Sequence, residues 1–329
     1  MEIHDAKGSL KNLNPLYPLS FYPVYKSYIW GGQKIISLFH RTDAPEKVAE
    51  SWEVTDRSDG MSIVADGHWQ GLTLHELVGR LGEDLLGKGQ EFTAFPLLIK
   101  LIDAQENLSI QVHPDDEKAK RMGVEAKAEA WFFLQTDKNA SIYSGLKPHI
   151  DKAAFEEAIR KNAILETLEK YPIHPGDVIY NPGGRVHAIL AGSLLLEVQQ
   201  NSNTTYRIYD WERDRPMHIK EALQVIDWKD KTSAKIASQR LDKEEGLEIV
   251  LLIKTPYFSM QKIELHKAWK ADTHGKSFQV LFVLEGRVRL AVGEWKEELK
   301  YGRSYLIPAA CKEVHMTPLG TAKILRLTL

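Results

Sequence analysis

One cysteine, Cys311, is the whole supply of thiol in 329 residues. A lone thiol closes no intrachain disulfide and builds no cysteine-based zinc finger, and its scarcity suits a reducing compartment. An excess of one charge is also missing: 43 Lys and Arg stand against 45 Asp and Glu, a formal net charge of −2. No basic field is there to draw a nucleic-acid backbone. Long hydrophobic runs are absent too. Stretches such as 95–99 and 249–253 fall far short of the ~20 apolar residues that cross a bilayer, so no membrane partner is expected. The opening Met1-Glu-Ile-His-Asp5 has neither the basic nor the apolar stretch of an export signal, and the expected location is the cytoplasm. What remains, 43% hydrophobic and 27% charged residues, is a globular composition whose length suits about two domains.

Strand signals dominate the chain. Short β-branched or aromatic runs sit between Gly/Pro turns, as in 175–180, 181–184 and 186–189, and this reads as a β-sandwich or barrel. Three helices interrupt them. Thr73 followed by Glu76 resembles a capping box ahead of Leu74, Leu77, Val78, Leu81 and Leu85. A second helix is predicted from Asp151 to about Glu169 with Phe155, Ala158, Ile159, Leu165 and Leu168 inward. A third begins near Pro216 and buries Ile219, Leu223 and Ile226. The polar stretch 229–246 is read as the connection between two domains, 1–235 and 236–329. The second, with the hairpin-like pair 278–284 and 287–292, reads as a small jelly roll.

The chemistry concentrates in Leu108-Ser-Ile-Gln-Val-His-Pro114. As a strand, its period of two sets Leu108, Ile110 and Val112 on one face and Ser109, Gln111 and His113 on the other. A half-buried strand ordinarily leaves its polar face in water. Here a buried-looking run, Leu97 to Ile102, lies just upstream, and Gln-x-His offers two ligand groups about 7 Å apart at Cα, close enough to share one ion. Downstream, Lys127 and Glu129 fall in phase with Trp131 and Phe133. A carboxylate in step with two large aromatics needs a cation or a donor, because an unpaired buried charge costs several kcal/mol. His187 follows the turn Pro182-Gly-Gly-Arg185. Alone it reads as a packed residue; with Gln111, His113 and Glu129 it completes an N/O set that suits zinc with an open position, and that manganese or iron also accept. Arg207, between Tyr206 and Tyr209, is either paired in a cleft or stacked on the surface.

Taken together, the motifs resemble the type I phosphomannose isomerases in their shorter bacterial form. Those carrying the resemblance are 23–26, Ile29-Trp-Gly-Gly32, Ala49-Glu-Ser-Trp-Glu53, 108–116, Lys127-Ala-Glu-Ala-Trp131, 182–188 and 196–210. The chain departs from the family pattern at Ala126 and Ala128, where glycine and threonine are usual, and at Arg185, where threonine is common. The resemblance implies a mainly β protein made of two cupin-type jelly-roll barrels with a few inserted helices. It also implies one zinc ion per chain held by Gln111, His113, Glu129 and His187, and a catalytic Arg207. Substrate contacts would fall on Ser109, Lys100 and Lys127, with the two lysines holding a phosphate.

The implied reaction interconverts mannose 6-phosphate and fructose 6-phosphate through an enediolate, whose charge a divalent cation and a guanidinium stabilise. Its partner is then a small sugar phosphate. Zinc-bound hydroxide, Glu50, Glu53 or a lysine of depressed pKa are the candidate bases. Two other readings fit a barrel with these residues: another metal-dependent cupin enzyme, such as an oxygenase, and a non-catalytic sugar-phosphate-binding cupin. His266, His274 and His315 are scattered, so no ligand set is expected in the second barrel.

Overall fold

A computed structural model describes residues 16–329; the N-terminal stretch read above for an export signal lies outside the described residues. The architecture follows from strands apolar on both faces. In Ser193–Gln200, Leu194, Leu196 and Val198 enter one hydrophobic core while Leu195 enters another. A strand buried on both sides belongs at the centre of a sheet, and this one pairs antiparallel with Leu97–Ala104 and with Glu129–Thr136. The resulting six-stranded sheet runs in the order Val178–Asn181, Glu129–Thr136, Ser193–Gln200, Leu97–Ala104, Glu50–Val54, Val24–Lys26. Facing it is a five-stranded sheet of Leu168–Pro172, Ser141–Leu146, His187–Ile189, Ile110–Val112 and Tyr206–Tyr209. Trp131, Phe133, Ile142, Ile179, Ile189 and Leu195 fill the space between them. Each such side chain contributes roughly 1.5–3 kcal/mol when fully buried.

A second pair of antiparallel sheets, eight-stranded and four-stranded, encloses its own core of Ile263, Leu281, Leu290, Val314, Met316 and Ile324. The protein is mainly β and of cupin type. The outer face of the first barrel's six-stranded sheet packs on the second barrel through Leu97, Ile99, Leu196, Met260, Phe282 and Leu325. We keep the division at 235/236 as a proposal about chain segments. In space, Leu19–Tyr22 from the first segment pairs with Ser304–Ile307 of the second. Within the stretch read as a polar connection, Gln239–Glu244 is an exposed strand at the edge of the eight-stranded sheet, and its charges suit an edge.

The Thr73 capping box is present, and its helix spans Leu74–Leu81. The helix begun by Asp151 is shorter than predicted. It covers Lys152–Arg160, Asn162 turns to φ 54°, and a 3-10 turn leads into the strand Leu168–Pro172. The Leu165 and Leu168 spacing that extended the prediction thus belongs to a turn and a strand; an asparagine in the left-handed region ends the helix. The third helix is Ile219–Val225. The predicted strand through Leu108 is regular only over Ile110–Val112. Leu108 joins the inner core, whereas Ile110 and Val112 face the outer one.

Candidate metal centre

Antiparallel pairing assembles the site. Gln111, the middle residue of Ile110–Val112, stands opposite His187 on one neighbouring strand and opposite Arg207 on the other. Residues directly opposite in such a ladder project from the same face, so these three point together, and His113 follows two residues later. The turn before His187 requires glycine. A Cβ on Gly183 would lie 2.5 Å from the Asp115 Cα, and Gly184 N–H donates to the His113 carbonyl at 2.7 Å. Glu129 opens the strand Glu129–Thr136 of the facing sheet.

The orientations of the two histidines are set by the backbone. His113 Nδ1 lies 2.8 Å from the Thr204 carbonyl, and His187 Nδ1 lies 2.9 Å from the Arg185 carbonyl. A carbonyl only accepts, so each Nδ1 carries a proton and each Nε2 is the ring nitrogen left to face inward. Those nitrogens meet a carboxylate: His187 Nε2 is 3.1 Å from Glu129 Oε1 and His113 Nε2 is 3.4 Å from Glu129 Oε2. His113 Nε2 and Glu129 Oε1 are buried without a hydrogen-bond donor, while Glu129 Oε2 is 2.9 Å from Lys127 Nζ. Burial, with Lys127 nearby, pushes His113 down to about 3, so the ring is neutral. Burial raises the Glu129 pKa, but the Lys127 ammonium foremost opposes it, and the carboxyl is held well below its ordinary value. Two imidazole nitrogens and a carboxylate, all buried and within 4.8 Å of one another, are a cation site in their donor chemistry. It is the one such group among the described residues; His266, His274 and His315 sit beside surface carboxylates instead.

Above this triad opens a cavity of about 300 Å³. Ser109, Gln111, Lys100, Lys127, His187 and Arg207 all line it, while His113 and Glu129 lie beneath. Four cationic side chains, Lys100, Lys127, Arg207 and Arg215, face two carboxylates, Glu50 and Glu197, across it. Lys100 is buried with Nζ 3.4 Å from Glu50 and 3.3 Å from Glu197. Burial lowers its pKa, but those carboxylates more than reverse this and keep it charged. Glu197, opposite Lys100 in the ladder, accepts from Trp131 Nε1 at 2.9 Å, and burial with Glu129 raises its pKa. Arg207 donates from Nη1 to the Pro216 carbonyl at 2.9 Å and keeps a buried Nε with no partner. Arg185 is buried in an ion pair with Asp230 at 2.7 Å, so this departure from the family pattern ties the turn before His187 to the 229–246 segment.

Sequence reasoning missed Glu197 and Arg215 as cavity residues. Glu197 had a readable signal, a lone acid alternating with Leu196 and Val198; Arg215 lies in a polar turn with no pattern around it.

Family models match in two places: "Phosphomannose isomerase type I, catalytic domain" over residues 19–141, and "Mannose-6-phosphate isomerase, cupin domain" over 248–328. The mannose-6-phosphate isomerase ManA of Bacillus subtilis is 35% identical over 302 residues, 88% of this chain and 93% of its own. The mannose-6-phosphate isomerase of Streptococcus mutans is 32% identical over 291 residues, 86% of this chain and 90% of its own. A crystal structure of the B. subtilis mannose 6-phosphate isomerase superposes with a TM-score of 0.87 at 31% identity, covering 95% of this chain and 99% of that one.

Proposed function

The chain belongs to the type I phosphomannose isomerase family, and we propose on that premise that Gln111, His113, Glu129 and His187 hold one zinc ion as its catalytic centre. It is a metal-dependent aldose–ketose isomerase that interconverts mannose 6-phosphate and fructose 6-phosphate. The observation that carries the metal assignment is the convergence of two buried histidine Nε2 atoms on Glu129, at 3.1 and 3.4 Å, with each Nδ1 on a backbone carbonyl. Gln111 fits as the fourth ligand. Its Nε2 lies 3.4 Å from His187 Nε2, and a half-turn of the amide presents Oε1 inward instead.

When bound, the ion supplies Lewis-acid charge beside the substrate's carbonyl and neighbouring hydroxyl oxygens. The chain's own groups do the rest. Arg207, beside Gln111 in the ladder, sets its guanidinium where negative charge collects as the enediolate forms; the cavity has partly replaced water, so that charge is worth several kcal/mol. We assign proton transfer between neighbouring substrate carbons to Glu197, which lines the cavity with Oε1 3.3 Å from Lys100 and whose raised pKa favours holding a proton. Glu53 is unsuited to that role because it does not line the cavity and its carboxylate is held by Arg41 and Ser51. Lys100 is disfavoured as the base because its pKa is raised. Ser109, Lys100 and Lys127 contact the substrate. Both lysines are already paired with carboxylates, so the cavity's surplus of cations as a whole matches the phosphate dianion.

Chelation tests the reading: complete metal removal abolishes conversion of mannose 6-phosphate to fructose 6-phosphate, and zinc restores it. Full activity in the stripped protein overturns the assignment.

A further inference from the structure

Two irregular segments deliver the groups that shape the metal centre. Residues 123–128 join the helix Asp116–Met122 to the strand that starts at Glu129, and they carry Lys127. Residues 201–205 join Ser193–Gln200 to Tyr206–Tyr209, and they carry the Thr204 carbonyl that fixes the His113 tautomer. Neither lies in a ladder; backbone bonds hold Val124, Lys127 and Asn201, and side-chain bonds hold the N–H groups of Ala128, Asn203 and Thr204.

Side-chain bonds to both segments converge on Arg57, which lies in the short hairpin of Asp56–Arg57 and Gly60–Met61. Its Nη1 is 2.9 Å from Glu125 Oε2 and 3.1 Å from the Asn201 carbonyl, and its Nε is 2.9 Å from Asp59 Oδ1. The two carboxylates it holds then grip the same loop. Glu125 Oε2 accepts from the Asn203 backbone N–H at 3.1 Å, and Asp59 Oδ2 accepts from Asn203 Nδ2 at 2.7 Å. Only 14% of the Arg57 side chain is exposed, whereas Glu125 is 51% exposed.

We propose that Arg57 is a positioning residue for the metal centre, clamping the segment that leads into Glu129 to the loop whose Thr204 carbonyl orients His113. The proposal rests on His113 and Glu129 being metal ligands. A planar fork with several fixed donors can reach two segments at once, which a lysine ammonium does less well. Groups that orient metal ligands typically carry a 10–100-fold effect on metal affinity, whereas an ion pair whose carboxylate is half exposed contributes little to stability.

The test uses the full chain and the variants Arg57→Gln and Glu125→Gln, with zinc affinity read by competition against a chromophoric chelator. Metal-free unfolding midpoints are measured alongside. Expected is roughly tenfold weaker zinc binding in both variants with a near-unchanged metal-free midpoint, and an intermediate affinity for Arg57→Lys. Zinc affinity within about twofold of the parent in both variants overturns the proposal. So does a loss of affinity matched by a comparable loss of metal-free stability, which marks a general scaffold role. A parent protein that binds no zinc refutes the metal-centre reading itself, and the two failures are thereby distinct.

Discussion

Replacing Glu129 by glutamine separates two effects that the buried carboxylate combines. The side chains of Lys127 and Glu129 are 5% and 1% exposed, with Nζ 2.9 Å from Oε2. Removing one partner of a buried ion pair costs about 3–5 kcal/mol, because the other charge is left uncompensated. The new amide offsets part of this. It can donate to His187 Nε2, which lies 3.1 Å from the oxygen it replaces, a hydrogen bond contributing about 1 kcal/mol. Glu129→Gln is therefore expected to destabilise the zinc-free protein by about 2–4 kcal/mol. The double variant Glu129→Gln/Lys127→Met removes both charges together and should return to within about 1 kcal/mol of the parent, since a buried pair is often no better than uncharged packing. Zinc affinity is expected to fall in both variants by more than ~100-fold, beyond the range typical of a group that merely orients a ligand. Urea unfolding of stripped protein reads the stability, and chelator competition reads the affinity. A double variant as unstable as the single one, or zinc binding retained by either, refutes this account of the centre.

Arg207→Ala should lower kcat by roughly 10²–10³-fold with zinc content unchanged, as steady-state rates and metal analysis will show; an unaltered kcat removes Arg207 from charge stabilisation. Burial pushes the Cys311 thiol up to about 12. Because the shift is upward, its reactive thiolate stays scarce as pH rises from about 7 to about 9, and iodoacetamide should label the native chain slowly throughout and the urea-unfolded chain rapidly. Fast native labelling near pH 8 contradicts the burial of that thiol. Thr73→Ala removes the cap that accepts the Glu76 N–H and should cost about 1 kcal/mol in urea unfolding; no loss would show that the helix start is held by packing alone.

Much of the centre was legible before any coordinates because ladder strands have a period of two. Glu129 in step with Trp131 and Phe133, and Gln111 in step with His113, marked inward-facing polar residues, and the family resemblance supplied the link among them. The same periodicity misled where regular structure stops. Leu108 lies before the strand rather than in it, and the leucine spacing past Asn162 belongs to a turn and a strand. One-dimensional spacing does not report where a backbone dihedral changes sign.

Sequence by itself determined which residues alternate inward, where helices are capped, and which donor types are present. Tertiary structure decided what those donors do. The carbonyls of Thr204 and Arg185 set the histidine tautomers, Glu50 and Glu197 keep Lys100 charged, and Arg57 joins segments some 70 and 140 residues downstream of it. Each of these is an interaction between groups distant along the chain. Electrostatics and hydrogen bonding depend on separation in space and on exclusion of water, and both come into being only when the sheets close.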